Sequence, residues 1–260
     1  MKLLRCFLFL IFCCSALPAV AQKDYDKPID KFGIEEAQRI VNDSPWAKPY
    51  QSTSGGAAAD AAAVGREQAQ NVYSGGSNPR SVSRYLGPPP VTLRLHSSEV
   101  LRKATVRLQQ AAAGYDKMSA DDKAKFDASR KTFLDCAICK DYYVLTLTRF
   151  RDKDARGIDE GIFQTLTLED LKGNVKLVND KGESRELIQF IAPKSADDSA
   201  VFFFKRTDDA GNLLITPETK EFRFVFANTF LDSRNRWAYM LPRTFDFKVS
   251  KLVVGERVLF

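Results

Sequence analysis

From residue 142 to the C-terminus, apolar side chains return at every second position in one short run after another. A chain patterned with that period must bury one face of a sheet. The clearest run is Phe222, Phe224 and Phe226, an alternating aromatic face. Residues 142–150, 162–168, 175–178, 186–191, 200–205, 213–216, 237–241, 245–249 and 251–254 carry the same rhythm less strongly. Asn179-Asp180-Lys181-Gly182 and Asp208-Asp209-Ala210-Gly211-Asn212 are turn sequences of the kind that join paired strands. Short strands in this succession predict a mainly β (α+β) domain. Its expected architecture is an antiparallel β-sandwich of immunoglobulin-like form, with an open barrel as the alternative.

The segment before this region adds one strand and two helices. Residues 91–96 alternate as a first strand, and Ser97 or Ser98 can cap a helix whose stripe is Val100, Ala104, Leu108 and Ala111, ending near Gly114. Ser119-Ala120-Asp121-Asp122 has the form of a capping box, opening a second helix with Phe126, Phe133 and Leu134 on its buried side. The folded domain is therefore expected to cover residues 91–260, long enough for one substantial core.

The N-terminal third reads differently. Residues 1–21 place Lys2 and Arg5 before an apolar run from Cys6 to Cys14 and end on Ala19-Val20-Ala21, the pattern of a secretory signal peptide cut after Ala21. The run falls short of the ~20 apolar residues needed to span a bilayer, so no transmembrane segment is expected after cleavage. Residues 22–50 read as a loosely structured, flexible N-terminal arm. Ile34, Ala37, Ile40 and Val41 give it a short helix over 34–42 that Pro45 stops. Trp46, in an otherwise polar stretch, has two readings: docking on the folded domain or contact with a partner. Residues 51–90 are rich in Gly, Ala, Ser and Pro with few large apolar side chains, the composition of a linker.

Cleavage simplifies the chemistry. The chain has five cysteines, and the three at 6, 13 and 14 leave with the signal, so only Cys136 and Cys139 remain. In an oxidising compartment they are expected to join as a disulfide. The expected role is a structural clip between the second helix and the strand at residue 142. A redox role is the alternative. Thioredoxin-like pairs place the first cysteine at a helix N-terminus, whereas here a helix precedes the pair. Haem attachment would want a histidine at position 140, where Lys140 stands, and a closed zinc site would want four ligands.

Histidine occurs once, at position 96, so any Ser-His-Asp or Cys-His arrangement would have to use it. His96 closes the first predicted strand with no nucleophile elbow nearby, and no catalytic residue is assigned. Residues 152–160 offer oxygen ligands at alternate positions, a little like the start of a calcium loop, but Arg151, Lys153 and Arg156 oppose a cation. No metal or cofactor is expected. Glycine-rich phosphate loops are absent, and basic and acidic residues are interspersed, which argues against nucleotide or nucleic-acid binding. Loss of Lys2 and Arg5 takes the net charge from +6 to +4, a balance that modestly favours an anionic envelope surface.

Ser44 to Lys48, Val91 to Ala104 and Phe247-Lys248-Val249-Ser250-Lys251 resemble stretches of exported proteins from acidobacterial soil bacteria. That resemblance implies a periplasmic or extracellular bacterial protein, and the family has no established activity to carry over. The expected function is that of a non-catalytic interaction or scaffolding protein of the cell envelope, with an unknown protein or other envelope component as its partner. The alternative is a thiol-disulfide redox factor, or another envelope enzyme, using Cys136 and Cys139.

Overall fold

The computed structural model describes residues 25–50, 91–149, 163–195, 198–233, 241–254, 257–258 and 260. Eight strands form a single antiparallel sheet: β1 (Ala47–Tyr50), β2 (Val91–Leu95), β3 (Tyr142–Arg149), β4 (Val175–Asn179), β5 (Ser184–Ile191), β6 (Ala200–Lys205), β7 (Glu221–Phe226) and β8 (Thr244–Lys248). Their order across the sheet is β1-β2-β3-β6-β5-β4-β7-β8. Five helices accompany them among the described residues: α1 (Ile34–Asn42), α2 (Glu99–Ala112), α3 (Ala120–Asp135), α4 (Leu168–Leu171) and α5 (Asn228–Ser233).

The alternating aromatic pattern sets the core. Phe222, Phe224 and Phe226 of β7 are buried together with Phe202 and Phe204 of β6 and Phe245 and Phe247 of β8. Strands β6 and β7 are not neighbours in the sheet, yet the Phe202 and Phe204 rings lie 5.1 and 5.9 Å from that of Phe224. Contact between non-adjacent strands means the sheet has curled around its own inner face, and the width eight strands enclose is one that side chains fill.

Strand β5 makes the bend. Its first residues, Ser184, Arg185 and Glu186, pair with β4, whereas Leu187 and then Gln189, Phe190 and Ile191 pair with β6, with a register shift at Ile188. An extra residue of this kind increases local twist and lets one strand serve both halves of a curved sheet.

The curl brings β1 and β8 face to face without pairing them. The ring of Tyr50 lies 6.4 Å from that of Phe245, and Lys48 Nζ sits 5.6 Å from the centroid of the Phe247 ring. Closure stops there for a reason written in the sequence. The Trp46 carbonyl accepts from Leu95 N at 2.8 Å and so faces β2, which turns Ala47 and Pro49 toward the seam. Ala47 spends both its backbone groups on Ser44 (3.2 and 3.0 Å), and Pro49 has no N–H to donate. The result is one sheet, nearly barrel-shaped, where a sandwich would have two separate facing sheets.

Several expectations need correction. Residues 25–50 are built into the domain rather than forming a loose arm: Phe32, Ala37, Ile40, Trp46 and Ala47 belong to the main core, and β1 is an edge strand of the sheet. Of the two readings of Trp46, docking holds and partner contact does not: the residue is 0% exposed and sits edge-on to Tyr25 at 4.7 Å, so burial of its large ring docks the segment on the domain. Residues 163–168 are not a strand. Thr167 and Asp170 close a reciprocal capping box, which starts α4. Residues 213–216 make only an isolated bridge, Thr207 to Leu213, because Leu214 and Ile215 turn into the core. The expected strand at 237–241 falls largely, and the signal peptide, the linker and the calcium-like segment fall wholly, outside the described residues.

Candidate functional site

The Cys136–Cys139 pair is where the structure gathers its chemistry. Ser119 caps α3 by accepting from Asp122 N at 3.2 Å, and the helix runs sixteen residues to Cys136, which occupies the left-handed cap position with φ 39°. Glycine usually takes that position because a side chain is strained there. Residues Ala137–Lys140 form a 3-10 turn, Cys139 N donates to Cys136 O at 2.8 Å, and the disulfide closes across it with Cα atoms 5.3 Å apart. Both cysteines pack on Val144 of β3 and Phe203 of β6, a small cluster separate from the main core. Ile138, between them, is 42% exposed.

Two arginines converge on this turn. Arg102 of α2 is 6% exposed and donates from Nε to Leu134 O (3.0 Å) and from Nη1 to His96 O (3.1 Å), Ser97 O (2.7 Å) and Cys139 Sγ (3.7 Å). One side chain thus ties together the end of β2, the start of α2, the last turn of α3 and the disulfide. Burial lowers its pKa from the usual value, with Glu99 and Asp135 acting against that and Arg206 with it. Arg206 donates from Nε to Cys139 O at 2.8 Å, and its guanidinium lies over the rings of Tyr143 (4.9 Å) and Phe260 (5.8 Å). Neither arginine makes an ion pair with a carboxylate among the described residues, where the partners of buried Arg102 and half-buried Arg206 are neutral acceptors and rings.

No protein-family model, curated protein or solved structure matches the chain.

His96 sits against the same turn, its ring edge-on to Phe133 of α3 at 5.2 Å. Desolvation first and the nearby Arg102 charge second push its pKa down from 6.5 to about 4. At neutral pH it is an uncharged packing group, with its ring committed to α3. Because the unfolded chain takes up this proton first, the stability it contributes is full above pH 6.5 and is lost as pH falls toward 4, by up to about 3 kcal/mol. Since it is the only histidine, the ring resonances of untagged protein report it directly. The expected midpoint is near 4, with a matching fall in urea midpoint that a His96→Gln variant does not share. A ring midpoint near 6.5 would contradict the burial.

Helix α3 departs from its expected role. Phe126, Phe133 and Leu134 are only half-buried, and no residue of the helix is buried. Its inner stripe rests on small contacts: Phe126 on Tyr115 at 5.4 Å, the Tyr115 hydroxyl donating to Asp127 at 2.7 Å, Phe133 on His96, and Leu134 O on Arg102. The outer face, with Ala124, Ala128, Lys131 and Asp135, is exposed. No helix among the described residues is long and apolar enough to cross a membrane, and no group of three or more His, Cys, Asp or Glu among them could hold a metal ion.

The arginines escaped the sequence reading, although a trace was present. Arg102 stands four residues before Val106 and four after the cap Ser98, on the apolar side of α2, where a charge is costly unless the fold supplies acceptors.

Proposed function

We propose that this is an exported, non-catalytic interaction or scaffolding protein of the bacterial cell envelope, which presents α3 to another envelope protein. The observation that carries the reading is α3 itself. An isolated helix of this length is marginal in water, and this one buries no residue, so the core does not need it. It is nevertheless held in place by the Ser119 cap at one end and by Arg102, His96 and the disulfide at the other. Four fixing devices on a helix that buries no residue of its own are explained if its outer face is the working surface.

Export supports the same reading: the signal-like first 21 residues, the disulfide and the small positive charge all suit an envelope compartment. The described barrel interior is occupied by phenylalanine rings, which suits a rigid platform. A photocrosslinking residue placed at Ala128, in the cell that makes the protein, is expected to give a discrete crosslinked species on the mature chain starting at Gln22. The same residue at Lys181, on the exposed β4–β5 turn, is expected to give none. Equal crosslinking at both positions, or a chain that keeps residues 1–21 in the cytoplasm, would sink the proposal.

A further inference from the structure

The position of Arg102 against Cys139 goes beyond a clip. We propose that Cys136–Cys139 is a reversible thiol-disulfide site that exchanges with a dithiol reductant, with Arg102 holding the released Cys139 sulfur as the thiolate.

The argument starts from the environment of the two sulfurs, which is not the same. Cys136 caps the C-terminus of α3, where the last carbonyls and the helix dipole disfavour a negative charge. Cys139 lies beyond that end, in the 3-10 turn, with Arg102 Nη1 3.7 Å from its sulfur and Arg206 Nε 2.8 Å from its carbonyl oxygen. Arg102 is buried and Arg206 half-buried, and among the described residues both have only neutral partners within bonding reach. A thiolate on Cys139 would give Arg102 the counter-charge it lacks, and cationic neighbours are what lower the pKa of a reactive cysteine. The other charged groups around the turn are Glu99, Asp135 and Asp141, which act on the two arginines from longer range, and Lys140 on the turn itself. His96 is uncharged at neutral pH.

That asymmetry fixes the direction of exchange. One thiol of the dithiol gives its proton to water, and the resulting thiolate attacks Cys136 Sγ; the S–S bond breaks, and its electron pair leaves on Cys139 Sγ, the better leaving group because Arg102 stabilises it. The second thiol of the reductant, losing its proton to water, then attacks the reductant's own sulfur in the mixed disulfide. This closes the reductant's disulfide and releases Cys136, which takes up a proton. Two electrons pass to the protein, the dithiol leaves oxidised, and one proton is released in net because Cys139 stays ionised. In the reduced state the last turn of α3 is no longer clipped to β3, and its left-handed cap at Cys136 is free to relax.

The test uses the mature chain with Cys136→Ser, whose remaining cysteine is Cys139. Its thiolate absorbance at 240 nm is followed against pH, with the double variant Cys136→Ser/Cys139→Ser as blank. The expected midpoint lies at least about one pH unit below the ~8.5 of a free cysteine, giving about tenfold more thiolate at pH 6.5. Adding Arg102→Gln is expected to return it to about 8.5 or higher. A midpoint at or above about 8.5 with Arg102 in place overturns the proposal. Should Arg102→Gln not fold, the unmutated chain decides: dithiothreitol should reduce it, and glutathione buffers should poise it between disulfide and dithiol. A bond that stays oxidised in all of them overturns the proposal equally. Neither readout depends on α3 having a partner.

Discussion

Trp46→Ala is expected to destabilise the whole domain by about 3–5 kcal/mol. The indole is fully buried, stacks edge-on with Tyr25, and sits where the chain leaves α1 for β1. Truncation leaves a cavity between the N-terminal segment and β2, which Trp46 O joins through Leu95 N. Losing that anchor would loosen β1, and with it the side chains that fill the seam to β8. Urea unfolding followed by circular dichroism gives the number. A loss under about 1 kcal/mol would mean that residues 25–50 lie on the domain without belonging to its core.

The second large effect is at Phe224. Its ring lies within 5.0 to 6.4 Å of those of Phe202, Phe204, Phe226 and Phe245, linking β6, β7 and β8 across the inside of the sheet. Phe224→Ala is expected to cost about 3–5 kcal/mol, the range for truncating a buried aromatic. Phe224→Leu should cost clearly less, since it keeps most of the volume. Phe190→Ala, on a ring only partly buried, should also fall below Phe224→Ala. Equal losses at 224 and 190 would contradict a core organised across the sheet rather than along it.

The strands were legible because their information is local. Residues 142–150, 175–178, 200–205 and the Phe222 run all became strands within a residue or two, since a period of two with turn chemistry at the ends suffices. Helix α1 matched its prediction over Ile34–Asn42 for the same reason. What failed depended on distant partners. Nothing in residues 47–50 says that they pair with residues 91–94, more than forty positions away, so an edge strand looked like part of an arm. The register shift in β5, where the strand passes from β4 to β6, leaves no composition signal. Phe126 and Phe133 looked like core residues because apolar spacing on a helix does not reveal how little lies opposite it.

At the candidate site, the cysteine pair was visible and its surroundings were not. The helix-dipole penalty on a thiolate applies to Cys136, which caps a helix C-terminus as the order of helix and cysteine pair implied. It did not extend to Cys139, whose electrostatics come from Arg102 and Arg206, thirty-seven and sixty-seven residues away in sequence.

The central claim is that α3 is held out to be bound and is not needed by the core. Stability and partner crosslinking, measured on the same double variant Ala124→Arg/Ala128→Arg, test it most directly. Arginine is a good helix former, and both positions are exposed, so the unfolding free energy should change by less than about 0.5 kcal/mol. The crosslinked species formed through α3 should disappear. A variant that keeps its partner, or one that loses its stability, would show that the outer face of α3 is not the surface this protein works through.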